Sequence, residues 1–262
     1  MGYNTKIDWC DTTWNPVTGC YHDCEYCYAR GIATRFAGIL PEENPNTWGY
    51  ERGGTIVVLD SMQARMRKDG KIVPAPYPFG FTPTFHKYRL DEPVRWTEPR
   101  NIFVCSMADL FGEWVPHEWI YEVFKVCEAT PWHRYLFLTK NPKRYSDLFL
   151  RSVPKNVWLG NSYTGEGEYE RTSVVKNRFL SIEPLLNRIP PLTAHSIALR
   201  NDWVIIGAET GKRKGKVRPE KEWIDTIVRS CEAVKTPVFM KESLREIMGD
   251  DFKQEFPWEV SK

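Results

Sequence analysis

Three cysteines stand close together near the start of the sequence, in the segment Cys20-Tyr21-His22-Asp23-Cys24-Glu25-Tyr26-Cys27. Thiolates at this spacing are poor disulfide partners for one another, but all three can reach one face of a compact metal centre. A structural zinc ion takes four protein ligands, and a cubane iron–sulfur cluster has four irons. Three thiolates therefore leave one position open, and we expect the chemistry of the protein at that position.

The same cysteines also allow a zinc site that borrows a fourth ligand, either His22 or Cys10. Zinc knuckles usually come as paired ligand sets, and the sequence has no second pair at a suitable spacing. Cys105, Cys127 and Cys231 fall in strand or helix patterns typical of small core residues. The odd total of seven cysteines suits a reducing compartment better than a disulfide framework.

The composition is that of a folded domain with an ordinary surface. The chain has 262 residues, of which 42 % are hydrophobic and 14 % aromatic, and it carries a net charge of +2. We therefore predict one domain over residues 1–262, without the basic excess of a general nucleic-acid-binding protein. The first residues lack the apolar core of a secretory signal, and no apolar run reaches membrane-spanning length. We expect a cytoplasmic protein with no membrane partner.

The elements next to the cysteines predict a loop between a strand and a helix. A short extended stretch begins at Ile7 and passes through two turn signals, Asn15-Pro16 and Thr18-Gly19. After Cys27, apolar residues at helical spacing predict a helix that ends with Gly38 as its C-terminal cap; they are Ala29, Ile32, Ala33 and Phe36. The cysteines would thus lie beside a helix N-terminus.

The rest of the chain predicts an α/β fold, an incomplete (β/α) barrel of the TIM type. Residues 39–100 are rich in Pro, Gly and aromatic residues and read as a loop-rich insertion after the first βα unit, while 243–262 form a C-terminal extension. Residues 101–242 alternate strands with amphipathic helices, as in parallel βαβ units. The predicted strands are Asn101–Ser106, Arg134–Thr139, Asn156–Asn161, Arg178–Ile182, Trp203–Ala208 and Pro237–Lys241.

Polar residues follow each of these strands, where the loops of a parallel barrel converge on one mouth. Strands also simply end where solvent begins, so a single polar residue there carries little information. The set includes Ser106, Asp109, Thr139, Lys140, Asn161, Ser162, Glu183, Glu209, Thr210, Lys241 and Glu242. We select Glu183, Glu209 and Lys241 from this set, together with His86 of the insertion, as candidate catalytic residues.

The cysteine spacing, with Tyr26 just before the third cysteine, resembles the signature of the radical S-adenosylmethionine (radical SAM) superfamily. The resemblance implies that Cys20, Cys24 and Cys27 hold a [4Fe-4S] cluster, that SAM binds its fourth iron, and that a 5′-deoxyadenosyl radical abstracts hydrogen from a substrate. It also implies an external electron donor of the flavodoxin or ferredoxin type, and Tyr26 near the adenine. We expect the SAM contacts among Tyr26, Ser106, Asp109, Asn161, Ser162, Glu183 and Glu209.

The chain as a whole resembles a phage- and prophage-associated family of radical SAM proteins. The stretches that carry this resemblance are spread over most of the chain and include Trp14–Cys20, Phe103–Phe111, Leu180–Leu185 and Trp203–Gly211. The resemblance implies a partial TIM barrel and supplies no substrate. The Gly-Gly-Glu segment that often contacts the SAM amine is absent, and Ser106-Met107-Ala108-Asp109 stands in its place.

A run of basic residues follows Glu209 and offers a candidate phosphate or substrate contact; its members are Lys212, Arg213, Lys214, Lys216 and Arg218. Such a run is most often a solvated face. The functional interpretation is that it holds the phosphates of a nucleotide or nucleic acid. Three alternatives stay open: a radical enzyme acting on a small metabolite or amino acid, a zinc-binding interaction module, and a relative that binds the cluster without catalysis.

Overall fold

The computed structural model describes residues 5–38, 46–50 (backbone only), 54–147, 153–170, 176–211 and 213–259. Its strands are β1 (Thr12–Trp14), β2 (Val17–Thr18), β3 (Asn46–Tyr50), β4 (Gly54–Leu59), β5 (Ala64–Met66), β6 (Ile72–Pro74), β7 (Thr84–His86), β8 (Asn101–Val104), β9 (Arg134–Thr139), β10 (Val157–Ser162), β11 (Arg178–Ile182), β12 (Trp203–Ile206) and β13 (Val238–Met240). The α-helices are α1 (Tyr28–Arg35), α2 (His117–Ala129), α3 (Arg144–Asp147), α4 (Pro191–Arg200), α5 (Lys221–Ala233) and α6 (Arg245–Met248).

A seven-stranded sheet has the strand order β1-β8-β9-β10-β11-β12-β13, which follows the chain. The pairs β1–β8, β8–β9, β10–β11, β11–β12 and β12–β13 are parallel. Helices α2, α3, α4 and α5 connect successive strands, because a parallel neighbour requires a crossover that returns the chain to the same end of the sheet. This topology confirms the predicted incomplete (β/α) barrel.

The strands of this sheet are buried along most of their length, which explains why the sequence shows apolar runs and little alternation. All four residues of β12 are buried, and so are all three of β13. Leu180 and Ile206 pack with Ile224 of α5 in one apolar cluster. Each such side chain contributes about 1.5–3 kcal/mol when it leaves water.

The chain divides into two compact units. The first runs from Cys10 to Phe137 together with Pro154–Asn156, and the second joins Thr5–Trp9 and Leu138–Val153 to Val157–Lys262. The first unit contains the cysteine loop, and the second contains the carboxyl ends of β10 to β13. Within the described ranges, no helix has the length and apolarity needed to cross a membrane.

The described part of the insertion contains five short strands as well as loops. Strands β2, β7, β4 and β3 form a four-stranded sheet, and β5 pairs with β6 in a hairpin. Residues 39–45 and 51–53 of the predicted insertion lie outside the described residues. Strand β7 has only three residues and all of them are buried. It therefore shows neither the length nor the alternation of apolar and polar residues by which a strand is predicted from sequence.

Helix α1 forms where the apolar spacing predicts it, but it ends at Arg35, three residues before the predicted glycine cap. The amide of Phe36 still donates to the carbonyls of Ile32 and Ala33. Gly38 adopts a φ of +109°, and its amide donates instead to the carbonyl of Pro78 at 3.0 Å. The glycine therefore turns the chain toward the insertion after the helix has ended.

His86 lies inside the four-stranded sheet, fully shielded from solvent. Its Nε2 is 2.8 Å from the Thr18 hydroxyl and its Nδ1 is 3.0 Å from the Tyr88 hydroxyl. Burial, with a smaller contribution from the Arg89 charge, holds the pKa of His86 well below 6.5. This environment suits a neutral structural histidine, and the catalytic role of His86 stays a prediction.

We predict that His86 makes the stability of the protein depend on pH. The folded-state pKa lies below the unfolded value, so the contribution is fully present above about pH 6.5 and is lost as the pH falls and only the unfolded chain takes up the proton. When only the unfolded chain binds this proton, the free energy of unfolding falls by about 1.4 kcal/mol for each pH unit. Urea unfolding at pH 7.5, 6.5 and 5.5 measures the free energy of unfolding. This free energy should therefore fall more steeply with decreasing pH in the wild type than in His86→Gln. Equal slopes would contradict this assignment.

Candidate functional site: the cysteine loop and the polar strand ends

The cysteine loop, residues 20–27, lies within the first unit and begins directly after Gly19. The Gly19 amide donates to the Met107 carbonyl at 2.9 Å, and the Cys20 amide donates to the Phe81 carbonyl at 3.1 Å. Gly19 has a φ of +84°, and a Cβ built on it would lie 2.3 Å from the Thr82 carbonyl oxygen. Only glycine therefore fits, because it tolerates this backbone and leaves the space free.

All three cysteines of the loop are half-buried reduced thiols. The pKa of Cys20 is raised to about 12, first by burial and then by the negative charges of Asp109, Cys24 and Cys27. The charges of Cys24 and Cys27 thus contribute to the pKa of Cys20, but less than its burial does. Among the described residues, no three His, Cys, Asp or Glu side chains are arranged as a group that could hold one metal ion.

A hydrogen bond between His22 and Asp109 pins the middle of the loop. Nε2 of His22 lies 2.7 Å from Oδ2 of Asp109, and the other carboxylate oxygen accepts the Phe111 amide at 3.0 Å. The ring of Trp114 packs edge-on against His22, with the centroids 4.9 Å apart. His22 was the alternative zinc ligand, and its Nε2 is used here for a different contact.

Two tyrosines fix the ends of the loop. The Tyr21 hydroxyl donates to the Thr55 carbonyl at 2.6 Å and accepts the Thr55 amide at 3.1 Å. The Tyr28 hydroxyl, one residue beyond the loop, donates to the Ser106 carbonyl at 2.8 Å. Tyr26, the predicted adenine contact, is half-buried within the loop. The loop is thus held by segments from the insertion and from the turn after β8.

The predicted SAM contacts Ser106 and Asp109 both serve to position this region. The Ser106 hydroxyl and the Met107 amide each donate to Oδ1 of Asn15, at 3.1 Å. Cys105, just before them, has a φ of +59°, which turns the chain sharply at the end of β8. Asn15 was not selected from the sequence beyond its turn signal, because its partner Ser106 lies 91 residues away.

In the second unit, the ends of β11 and β13 bring two predicted catalytic residues together. Nζ of Lys241 and Oε1 of Glu183 form an ion pair, with side chains that are 17 % and 25 % exposed. Gly207 lies beside the pair at the end of β12, and a Cβ there would be 2.9 Å from Cδ of Lys241 and 3.2 Å from Cγ of Glu183. Because Gly207 has no side chain, the ion pair of Lys241 and Glu183 has room at this position.

Glu209, the third predicted catalytic residue, is buried and holds the basic loop. Arg213 donates to both carboxylate oxygens, at 2.6 and 2.7 Å, and the Val217 amide donates to one of them at 3.2 Å. The hydrogen bond from Arg213 is the main cause that lowers the pKa of Glu209, and it outweighs the effect of burial. Glu209 is therefore a carboxylate whose oxygens are already used within the chain.

The basic run is divided by its contacts. Arg213 pairs with Glu209, and Arg218 lies 3.5 Å from the exposed carboxylate of Glu246. Lys214 and Lys216 are exposed, and Lys212 lies outside the described residues. Arg213 and Arg218 thus each have an acidic neighbour, whereas Lys214 and Lys216 are exposed, and the role of the five basic residues as phosphate contacts stays a prediction.

The end of β10 places Asn161 and Ser162 differently from each other. Asn161 is buried, and its amide donates to the Glu170 carbonyl at 3.1 Å, whereas Ser162 is half-buried. The segment after them is fixed by further contacts, including Tyr163 to the Gly167 carbonyl at 3.1 Å and Asn201 to the Tyr169 hydroxyl at 2.8 Å. The polar sequence 164–170 is thus an irregular segment held by these hydrogen bonds, while residues 171–175 lie outside the described residues.

The incomplete barrel of parallel βα units is a fold that this chain shares with solved structures. Spore photoproduct lyase complexed with dinucleoside spore photoproduct is similar, with 12 % identity over 90 % of this chain and 79 % of that chain and a TM-score of 0.53. A mutant of that lyase with bound AdoMet and dinucleoside spore photoproduct matches with 12 % identity, 90 % and 78 % coverage and a TM-score of 0.51. Spore photoproduct lyase is a radical SAM enzyme. At this identity the likeness establishes the fold.

The chain itself belongs to the family described as protein of unknown function (DUF5131), which matches residues 4–248. Among curated proteins, no sequence matches it. The phage association that the sequence suggests stays a prediction.

We predict that Asp109→Ala loosens the cysteine loop. The variant removes a hydrogen bond to a charged group, which contributes about 1.5–3 kcal/mol. Hydrogen exchange of the amides between residues 20 and 24 should become about ten- to one-hundred-fold faster, because local opening costs less. The matched control is Asp91→Ala, which removes an exposed ion pair to Arg95 and should leave these amides unchanged. Unaltered exchange in Asp109→Ala would show that other contacts hold the loop.

Proposed function

We propose that this protein is a radical SAM enzyme whose [4Fe-4S] cluster is held by Cys20, Cys24 and Cys27, and whose substrate is a nucleotide or a nucleic acid. The observation that carries the proposal is the cysteine loop itself. Its three reduced, half-buried thiols stand within eight residues, on a loop that Gly19, Tyr21 and the His22–Asp109 hydrogen bond hold in place. Three thiolates on a loop of this kind suit a cluster that keeps one iron for a small molecule.

The bound cluster and SAM would together supply a 5′-deoxyadenosyl radical that removes hydrogen from the substrate. The chain's own residues have the tasks of holding, orienting and shielding the reactants. Asp109, Ser106 and Asn15 keep the cysteine loop in register with the end of β8. Tyr26 is the proposed adenine contact, in line with the superfamily resemblance.

We propose Glu183 and Lys241 as the polar groups that bind SAM or substrate at the ends of β11 and β13, with Asn161 and Ser162 as further contacts at the end of β10. Their partial exposure suits this role, since Glu183 and Lys241 are neither fully buried nor fully solvated. Glu209 has its carboxylate committed to Arg213, so we assign it to positioning the basic loop. An external one-electron donor and a reducing, cytoplasmic setting complete the proposal.

The nucleic-acid part of the proposal rests on two supports. The similar solved structures contain a dinucleoside spore photoproduct, and this chain displays Lys214 and Lys216 on a loop anchored by a buried carboxylate. Because the loop is already anchored, less conformational entropy is lost when the two lysines contact a phosphate. The net charge of +2 favours local contact over general DNA binding.

The direct experiment is anaerobic reconstitution with iron and sulfide, followed by SAM cleavage under dithionite. We expect about four irons per chain and formation of 5′-deoxyadenosine, both lost in Cys24→Ala. The matched control is Cys10→Ala, which changes another half-buried cysteine outside the loop and should retain both. Zinc retained after anaerobic purification would favour the interaction module, and a cluster without 5′-deoxyadenosine would favour a non-catalytic relative.

The substrate class is tested by binding of a single-stranded oligonucleotide at increasing salt. Each phosphate contact contributes about 0.7 to the slope of log K against log salt. The double variant Lys214→Ala/Lys216→Ala should therefore weaken binding and make this negative slope shallower by about 1.4. Lys87→Ala/Lys125→Ala removes two exposed lysines elsewhere and should leave the slope unchanged. If the two double variants behave alike, a small-metabolite or amino-acid substrate gains support.

A further inference from the structure

Helix α1 starts directly after Cys27 and presents most of its surface to solvent. Only Ala29 and Ala33 are buried. Tyr28, Ile32 and Phe36 are 55 %, 40 % and 37 % exposed, and their spacing of four residues places them along one side of the helix. Three large apolar side chains in one stripe, next to the cysteine loop, form an unusual surface for a protein that acts alone.

A groove of about 660 Å³ runs along the same helix and reaches two of the cysteines. Its lining residues are Asp23, Cys24, Glu25, Cys27, Arg30, Gly31, Thr34 and Arg35. Elsewhere in the loop, the Cys20 amide donates to the Phe81 carbonyl and His22 packs against Trp114. The α1 groove thus gives solvent access to the Cys24 and Cys27 side of the proposed cluster.

The charges around this surface are mainly positive among the residues that the structure describes. Asp23 pairs with Arg30 across the groove, and Asp69 lies 3.3 Å from Arg67, so these two arginines already have acidic partners. The β5–β6 hairpin adjoins the helix, because the Arg65 guanidinium lies 5.6 Å from the ring centroid of Phe36. Together, helix, groove and hairpin carry six basic and three acidic residues: Arg30, Arg35, Arg65, Arg67, Lys68 and Lys71 against Asp23, Glu25 and Asp69.

We propose that the α1 surface, formed by residues 23–36 and the β5–β6 hairpin, docks an acidic one-electron carrier protein that reduces the cluster. The inference rests on the proposed function, because a cluster that cleaves SAM must receive one electron for each cleavage. The reduced carrier loses that electron and the cluster gains it, with no bond formed or broken in the transfer. Electron transfer weakens steeply with distance, so the carrier has to approach the cysteines closely.

The positive charge and the apolar stripe of the α1 surface both favour an acidic carrier protein as its partner. An acidic carrier complements the arginines and lysines, and such complementarity speeds encounter and sets orientation. The exposed stripe of Tyr28, Ile32 and Phe36 supplies the apolar centre that protein interfaces use. A nucleic acid would also complement the positive charges, but contact with the apolar side chain of Ile32 would add little to its binding free energy. We therefore assign the surface to a protein partner.

The test compares two reductants of the reconstituted enzyme, a bacterial flavodoxin and dithionite. Arg35→Glu/Arg67→Glu reverses two exposed charges of the α1 surface. Like-charge contact with an acidic carrier is expected to lower flavodoxin-supported SAM cleavage by about tenfold or more, while dithionite-supported cleavage changes less than about twofold, since a small reductant has no need of the docking surface. The matched control Lys125→Glu/Arg229→Glu should leave both rates unchanged.

A second measurement is independent of catalysis. Binding of flavodoxin to the immobilised protein at low salt should weaken about tenfold in Arg35→Glu/Arg67→Glu, should weaken in Ile32→Ser, and should stay constant in the control. Equal losses with both reductants, unchanged flavodoxin binding, or a loss of oligonucleotide binding in the same variants would overturn the inference. If dithionite supports no SAM cleavage, the proposed function fails, and flavodoxin binding still decides whether this surface docks an acidic carrier.

Discussion

The cysteine loop depends on one backbone constraint, the passage of Gly19 between the turn after β8 and the insertion. The Thr82 carbonyl occupies the position where a side chain would begin, and the Met107 carbonyl accepts the Gly19 amide. The direction in which the chain leaves the sheet is therefore fixed before the first cysteine. The contacts of Tyr21, His22 and Tyr28 all follow from that direction, because each reaches a segment that flanks the same passage.

Much of the barrel could be predicted because its strands are buried and its helices are amphipathic. Strands β9 and β11 have the predicted bounds, and the others differ by one or two residues at their ends. The cysteine spacing also identified the loop, since three thiols in eight residues have few uses. These features are local, so they are visible in a window of sequence. The small sheet of the insertion was harder to see, since β7 is short and buried on both sides.

The contacts that define the site could not be predicted in the same way, because they join distant residues. Asp109 and Ser106 were selected for their position after a strand, and the structure shows Asp109 bonded to His22 and Ser106 to Asn15. Charge was similarly misleading in the basic run, where Arg213 is neutralised by Glu209. A sequence shows how many charges a loop carries, but which of them remain available depends on partners that only the fold brings close.

The hydrogen bond between His22 and Asp109 also bears on how the protein is made. Its two residues are separated by 87 positions in the chain, and Trp114, which packs on His22, follows Asp109. During synthesis the cysteines leave the ribosome first, while the residues that shape their loop are still to be added. The loop therefore reaches this form only after the turn beyond β8 has emerged, so the proposed cluster would enter a shaped site only at a late stage of synthesis.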